Sequence, residues 1–214
     1  MTSSTHEFGP DAFARELSVS RETLKRVEAF VALLADWSRR HNLVSVRSLQ
    51  DVWRRHVLDS AQLTRFMPSV ATSLVDLGSG AGFPGLILAV LRPDLSVTLI
   101  EATAKKCRFL AEADKCLGTR ARILNSRIED VTLASFDVVT ARACAPLPAL
   151  AAYAQRFVGP NTVCLFLKGQ NVGSELTETR NSWRMTLQSH ASLSDPSGTV
   201  LEIHGLAPND RNRH

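Results

Sequence analysis

The sequence lacks the features that would place a protein in a membrane or outside the cell. No apolar run approaches the roughly 20 residues that a membrane-spanning helix needs. The segment from Met1 to His6 has neither the basic nor the apolar region of a secretory signal peptide. We therefore expect a cytoplasmic protein with no membrane partner.

Cysteine is scarce and its spacing shows no pairing. The 214 residues include four cysteines, unaccompanied by a histidine pattern, namely Cys107, Cys116, Cys144 and Cys164. Zinc sites and disulfide frameworks both need regular spacing of these residue types. The sequence therefore predicts free thiols and no metal site.

Charge of neither sign dominates the composition. Lysine and arginine number 25 against 21 aspartates and glutamates, and 44% of the residues are hydrophobic. Such a composition is typical of a globular protein, and its formal net charge of +4 permits an acidic partner such as RNA without establishing one. The length suits one α/β domain with a small addition.

The first part of the chain has helical periodicity. Between residues 10 and 66 apolar residues recur at helical spacing, as in the set Leu24, Val27, Phe30, Val31 and Leu34. Ser20 is a candidate N-cap, and Met67-Pro68 breaks the pattern. We predict an N-terminal helical extension over residues 1–68 that packs on the core.

From residue 69 onward, short apolar strands alternate with helical segments, which predicts parallel βαβ units. The predicted strands are 73–77, 96–100, 121–124, 136–140 and 162–167, and helices should begin near Pro84, Ala104 and Pro146. Residues 182–190 and 199–205 then alternate on either side of a turn signal, which predicts an antiparallel hairpin. We expect this domain to span 69–207, followed by a disordered tail over 208–214.

The most informative segment runs from Leu74 to Gly85. An apolar strand delivers Asp76, and then Gly78, Gly80 and Gly82 allow a tight turn and a close approach of backbone to a ligand. A ligand held there would lie in the crevice at the carboxyl end of the strand.

Two cofactors compete for this loop. Gly80-x-Gly82-x-x-Gly85 matches the dinucleotide fingerprint, and Glu101 follows where a ribose-binding acid belongs. Asp76, however, would repel a pyrophosphate, whereas it could anchor the positive methionyl end of S-adenosylmethionine (SAM), directly or through water. The loop favours SAM over a dinucleotide, and a turn without any ligand is the third interpretation.

Further candidate residues follow the later strands. Backbone groups of Ile128 and Glu129 could flank an adenine, although an ordinary helix start would look similar. Arg142 and Lys168 come at the carboxyl ends of the fourth and fifth strands, which is the crevice side of such a sheet. There they could hold a phosphate or a guanine edge, or be solvated loop charges.

A basic run lies in the helical region, with one acid between positions 39 and 56, and comprises Arg39, Arg40, His41, Arg47, Arg54, Arg55 and His56. Such a run is most often a solvated helix face. Trp53 and the histidines add stacking groups, which favours RNA contact. The predicted RNA-binding set is Arg39, Arg40, Arg54, Arg55, His56 and Lys168.

Together these segments resemble the bacterial small-subunit rRNA guanine-N7 methyltransferases, a family once called glucose-inhibited division protein B. The resemblance runs from about Leu33 to Gln170 and rests on the glycine loop and on the motifs Asn42-Leu43-Val44-Ser45, Arg55-His56-Val57-Leu58-Asp59-Ser60, Ser126-Arg127-Ile128-Glu129, Ala141-Arg142-Ala143 and Leu167-Lys168-Gly169-Gln170. It implies a class I SAM-dependent methyltransferase with a Rossmann-like, seven-stranded, mostly parallel sheet. It also implies SAM contacts at Gly78, Phe83, Ile128, Glu129 and Arg142.

The implied substrate is a guanine in the 530 loop of 16S rRNA, at position 527 of the usual rRNA count, reached on the RNA or on the small ribosomal subunit. Guanine N7 carries a free lone pair at neutral pH, so the enzyme mainly has to align the two reactants. We assign that catalytic role to Arg142 and Lys168 and expect a monomer without metal. An NAD-dependent oxidoreductase and a non-catalytic RNA-binding module remain the alternatives.

Overall fold

The computed structural model describes residues 8–209. Its N-terminal part is helical, with α1 over Pro10–Leu17, α2 over Arg21–His41 and α3 over Val46–Gln50. The Ser20 side chain accepts a hydrogen bond from the Thr23 N–H at 3.1 Å, as the predicted N-cap requires. Residues 1–7, which the predicted extension includes, lie outside the described residues.

Helical structure continues after α3, but its middle is wound differently. Trp53–Leu58 forms a π-helix, α4 covers Asp59–Ala61, and a 3₁₀ turn covers Gln62–Phe66. The predicted helical stretch to Phe66 is confirmed, whereas nothing in the apolar spacing indicated the π-helix. Such wider turns occur frequently at functional sites.

A seven-stranded sheet follows, in the order β3-β2-β1-β4-β5-β7-β6. Its strands are β1 Ser73–Leu77, β2 Ser96–Glu101, β3 Arg122–Asn125, β4 Val138–Arg142, β5 Val163–Lys168, β6 Trp183–Ala191 and β7 Thr199–Pro208. The first five are parallel, and β7 pairs antiparallel with both β5 and β6. The predicted mostly parallel sheet with a C-terminal hairpin is confirmed.

Helices cover both faces of the sheet, as buried parallel strands require. The connections contain α5 Gly85–Leu91, α6 Ala104–Leu117, α7 Leu147–Ala154 and α8 Val172–Ser182. The N-terminal helices share one apolar core with α5 and α6, where Phe30 lies against Phe83 and Phe109. The division of the chain at residue 68 stays a prediction.

Strand β4 begins two residues later than predicted, and its end matters for the site. Asp137 is not part of the strand, because its carboxylate accepts the N–H groups of Thr72 and Ser73 at 2.8 and 2.9 Å. The strand therefore runs to Arg142, which becomes its last residue instead of following it.

The C-terminal part differs from the sequence prediction by one helix that was not predicted and by the start of the tail. Helix α8 has no counterpart among the predicted elements, since it exposes most of its length and shows little apolar periodicity. The tail does not begin at residue 208, because Pro208 pairs with Trp183 and the Asn209 N–H donates to the Ser182 carbonyl at 2.9 Å. Residues 210–214 lie outside the described residues. Within 8–209, no helix combines the length and apolarity needed to cross a membrane.

Candidate cofactor and substrate site

The glycine loop turns sharply because its glycines adopt left-handed backbone angles. Gly78 and Gly82 have φ values of +65° and +86°, which side-chain-bearing residues rarely adopt. A Cβ at Gly78 would also lie 2.6 Å from the Cys144 Sγ, so Cys144 packs where a side chain would go. At Gly80, by contrast, a Cβ would meet only the Gly78 carbonyl oxygen, at 3.8 Å, and this part of the loop borders open space.

Asp76 supports the loop from inside the protein. Its carboxylate is fully buried, accepts the Thr140 hydroxyl at 2.8 Å and accepts the Gly85 N–H at 3.3 Å. Burial raises the pKa of this carboxyl to about 6. Asp76 thus ties β1 to β4 and to the start of α5. The hydrogen bonds of Asp76 hold the glycine loop in place. A contact of Asp76 with the methionyl group of SAM stays a prediction.

Glu101 ends β2 beside this loop because β1 and β2 are neighbours in the sheet. Its carboxylate accepts the Gly80 N–H at 3.0 Å and the Thr103 N–H at 2.8 Å, and it is only 6% exposed. Each carboxylate oxygen has lone pairs for more than one donor. The residue can therefore accept ribose hydroxyls while it keeps the loop in place.

The end of β3 completes this side of the sheet edge. Asn125 donates to the carbonyls of Glu101 and Ala102 at 3.1 and 2.9 Å, and a 3₁₀ turn over Ile128–Asp130 follows. The Ile128 side chain is buried, whereas Glu129 is exposed and accepts the Tyr153 hydroxyl, which raises the pKa of Tyr153. The sequence allowed either an adenine-flanking backbone or an ordinary helix start at this segment. Ile128 and Glu129 do form a short helical turn, and this turn does not exclude a contact with adenine.

Phe83 occupies the centre of a ring cluster. The His56 imidazole stacks on it with ring centres 5.0 Å apart, and the Arg142 guanidinium lies 5.0 Å from its centre. Phe83 is nearly fully buried, so its side chain offers little surface to SAM. Its contact with SAM stays a prediction.

His56 is the clearest correction to the predicted RNA-binding set. Only 9% of the residue is exposed, and both ring nitrogens are buried without a hydrogen-bond partner. Burial, with the nearby charges of Arg142 and Arg55, lowers the pKa of His56 to about 3. His56 is therefore a neutral packing partner of Phe83, and its ring is not available to stack on RNA in this conformation.

Arg142 joins the glycine loop to the helical region. Besides covering Phe83, its Nη1 donates to the Arg55 carbonyl at 2.9 Å and lies 3.5 Å from the Asp59 Oδ2. A guanidinium has five N–H donors, so these contacts leave donors for a ligand. The end of β4 thus carries a cation that reaches both sides of the site.

A cavity of about 670 Å³ opens beside Arg142 on the side away from Glu101. It lies between the π-helix, the ends of β4 and β5, and the turn that joins β6 to β7. Its charged walls include Arg55, Asp59, Arg142, Lys168 and Glu175. Lys168 is held there by the Glu175 carboxylate at 2.6 Å and the Ala145 carbonyl at 3.2 Å.

The predicted basic run does not act as one unit. The exposed guanidinium groups of Arg39 and Arg40 both pair with the Asp36 carboxylate. Arg54 lies over the Phe8 ring at 5.1 Å, whereas Arg55 is exposed at the cavity. These residues have different surroundings, and their contact with RNA stays a prediction.

The sequence did not single out Asp59 or Ser194 as site residues. The Ser194 hydroxyl donates to the Asp59 Oδ1 at 2.5 Å across 135 positions of the chain. The only indication of a role for Asp59 in the sequence was its place in one of the motifs on which the family resemblance rests. Ser194 had none, because the folding of the hairpin onto the helical region brings it there.

The chain matches the family model described as rRNA small subunit methyltransferase G over residues 23–200. It is 48% identical to the ribosomal RNA small subunit methyltransferase G of Rhodospirillum rubrum, over 91% of this chain and 96% of that protein. The protein of the same name from Parvibaculum lavamentivorans is 44% identical, with 95% and 92% covered. In fold, the chain is similar to M. jannaschii TYW2 solved in complex with AdoMet, with a TM-score of 0.54 at 15% identity, covering 68% of this chain and 74% of that one. Since the family model spans most of the chain and these relatives match it over nearly their whole length, the protein belongs to the rRNA small subunit methyltransferase G family.

Proposed function

We propose that this protein transfers a methyl group from SAM to N7 of a guanine in the 530 loop of 16S rRNA, at position 527. The observation that carries the proposal is the placement of Arg142. Its guanidinium covers Phe83 of the glycine loop on one side and borders the charged cavity on the other. One residue therefore connects the region that suits a cofactor with the region that suits a base.

The residues on the glycine-loop side fit SAM. SAM supplies an activated methyl group on a positively charged sulfur. Glu101 would accept the ribose hydroxyls, the open space beside Gly80 lets backbone approach the ligand, and the backbone of Ile128 and Glu129 would flank the adenine. Family membership decides against the dinucleotide interpretation of the same glycines.

The residues on the cavity side fit a reaction that needs no base. Guanine N7 has no proton to lose, and His56, with a pKa of about 3 and both nitrogens buried, is not placed to accept one. The protein has to hold the base, aim N7 at the methyl group and exclude water. Arg142 can donate to guanine O6 and leave the neighbouring N7 free.

Lys168 has a more limited part in this proposal. Its ammonium is neutralised by Glu175 and held by the Ala145 carbonyl. It can therefore shape the cavity and offer its remaining donor to the RNA, while Arg142 lies closer to the reacting groups.

The test is transfer of labelled methyl from SAM to small subunits purified from cells that lack this gene, with the modified nucleotide mapped. We expect one labelled guanine in the 530 loop, modified at N7. Label on another atom or another nucleotide would overturn the proposal. Parallel assays with naked 16S rRNA show which form is the substrate, and sedimentation of the active protein tests the proposed monomer.

Two calorimetric titrations separate the remaining functions. An oxidoreductase would bind NAD and not SAM, whereas a methyltransferase does the reverse. A non-catalytic module would bind rRNA without transferring methyl. We expect SAM binding together with methyl transfer.

A further inference from the structure

One oxygen of the Asp59 carboxylate at the cavity wall is fixed by two hydrogen bonds, and the other forms a salt bridge with Arg142. Its Oδ1 accepts the Gln62 amide at 3.0 Å and the Ser194 hydroxyl at 2.5 Å. Its Oδ2 lies 3.5 Å from the Arg142 Nη1, beyond the 2.7–2.9 Å that is usual for a charge-assisted hydrogen bond. The carboxylate is thus fixed in orientation, with Oδ2 able to accept a further donor.

A base positioned only by its N7 would not be identified as guanine, because adenine carries the same N7 lone pair. The two purines differ on the Watson–Crick edge, which proteins read when a nucleotide is flipped out of its stack. Guanine presents N–H donors at N1 and N2, whereas adenine presents an acceptor at N1. A donor opposite O6, such as Arg142, already favours guanine, and an acceptor opposite N1 and N2 would add to that selection.

The order of groups along the site matches the order of atoms around guanine. Going round the base from N2, one meets N1, then O6 and then N7. Along the site, Asp59 is followed by Arg142, and Arg142 is followed by Phe83 of the glycine loop. An acceptor, a donor and the methyl-transfer region thus succeed one another as the three parts of the base require.

We propose that Asp59 selects guanine over adenine by accepting the N1 and N2 hydrogens of the target base through Oδ2, while Gln62 and Ser194 hold Oδ1. This inference rests on the proposed function and adds a second determinant of base specificity beside the contact of Arg142 with O6. Burial makes the selection strong, since a carboxylate facing the N1 acceptor of adenine would lose its solvation without gaining a donor. Sites that hydrogen-bond a substrate group discriminate far better than apolar pockets do.

The same contacts predict what an amide would do at this position. In Asp59→Asn, the donors of Gln62 and Ser194 keep the amide oxygen where Oδ1 now lies. The amide nitrogen then takes the place of Oδ2 and presents a donor to the base. That donor opposes guanine N1–H and matches adenine N1.

The experiment measures methyl transfer to small subunits reconstituted with G or A at the target position. For Asp59→Asn we expect the ratio of the rate on G to the rate on A to fall at least tenfold, with SAM affinity by calorimetry unchanged. Asp51→Asn removes another carboxylate from the wall of the same cavity and should leave that ratio as it is. If both rates fall equally in Asp59→Asn, Asp59 is only structural and the inference is overturned.

A second measurement needs no variant and so does not depend on the folding of one. The wild-type protein is given subunits with guanine, inosine or adenine at the target position, and inosine lacks only the N2 amine of guanine. We expect rates in the order guanine, inosine, adenine. Equal rates on guanine and adenine would overturn the role of Asp59 and also the contact of Arg142 with O6, whereas no transfer to guanine would overturn the proposed function itself.

Discussion

Arg142 places its guanidinium 5.0 Å from the centre of the Phe83 ring while its Nη1 bonds to the carbonyl of Arg55. Phe83 belongs to the glycine loop and Arg142 to the end of β4, so this contact fixes the loop against the neighbouring strand. Because Arg55 is in the π-helix, the same side chain also attaches the helical region to the sheet.

Substitution of Arg142 by alanine should lower the single-turnover rate of methyl transfer about a hundredfold, since misplacement near the reacting atoms has effects of that size. Binding of rRNA should fall by less than about tenfold, because the other residues of the predicted RNA-binding set would still neutralise phosphates. Arg142→Lys should not restore the rate, as an ammonium lacks the planar fork. Rapid-quench assays at saturating SAM and substrate test this. Recovery of the full rate under saturation would show that Arg142 acts only in binding.

Gly78→Ala should weaken both folding and SAM binding. The new Cβ would lie 2.6 Å from the Cys144 Sγ, at a φ of +65° that costs roughly 1–2 kcal/mol for a residue with a side chain. Adding Cys144→Ala removes the sulfur and should recover part of the stability. Thermal melting and calorimetry measure the two effects. Gly80→Ala is the comparison, as its Cβ meets no side chain, and equal stability of the two variants would contradict the packing described here.

Asp76 should make the protein less stable as the pH rises from about 4 to about 6. The folded state binds this proton more tightly, with a pKa of about 6 against an ordinary value of 3.8, so its contribution is complete below 3.8 and lost as the pH passes 6. At about 1.4 kcal/mol per pH unit, the loss is about 3 kcal/mol. Urea unfolding of Asp76→Asn across this range should lack that fall. An identical pH profile in the variant would mean that the carboxyl is not buried as described.

His56 should make the protein less stable as the pH falls, which is the opposite of the effect expected from Asp76. Its pKa falls from 6.5 to about 3 on folding, so stability is complete above pH 6.5 and is lost below it, by about 1.4 kcal/mol per pH unit. His56→Phe keeps a ring on Phe83 and removes two unpartnered nitrogens, and it should unfold less readily in acid.

Since the proposed methyl transfer requires no base, the single-turnover rate of the wild type should stay nearly flat from about pH 7 to pH 9. A tenfold rise per pH unit there would indicate a reacting atom that must first lose a proton.

The predicted RNA-binding arginines can be tested through salt. Each phosphate that a variant no longer neutralises should reduce the slope of log affinity against log salt by about one. We expect reductions for Arg54→Ala, for Arg55→Ala and for the double variant of Arg39 and Arg40. Arg156→Ala is the control, because Arg156 follows α7 and its neighbour Phe157 accepts the Phe136 N–H just before β4, at the amino ends of the strands. If a variant with all four arginines replaced kept the slope of the wild type, the basic run would be a solvated surface without RNA contacts.

The sequence predicted the parts of the fold that repeat a local pattern. Four of the parallel strands and the hairpin were recognisable because strands buried on both faces are largely apolar and the hairpin strands alternate, whereas β3 is a short edge strand. The closeness of the glycine loop and Glu101 was also predictable, since they follow consecutive strands whose carboxyl ends meet at one edge. Helix α8 was missed because it contributes mainly one fully buried residue, Thr179.

The substrate side was less predictable because its contacts join distant segments. Nothing local to His56 indicates that its ring is covered by Phe83, and a histidine within a basic run is typical of a surface. The pairing of Asp59 with Ser194 likewise depends on where the hairpin packs, which no residue near Asp59 encodes. Motif resemblance pointed to the segment around Asp59, but the contacts of its side chains depend on the tertiary structure.

The contacts between the helical region and the turn of the hairpin also determine when the site is completed during synthesis. Gln62 bonds to Ser192 and Leu193, and Asp59 to Ser194, so these two residues depend on partners that are synthesised 130 to 135 positions later. The segments that hold Gly78, Glu101 and Ile128 are synthesised well before that turn. Nascent chains that end before β6 therefore lack the contacts that orient Asp59, and the base selection proposed for this residue would require the turn of the hairpin.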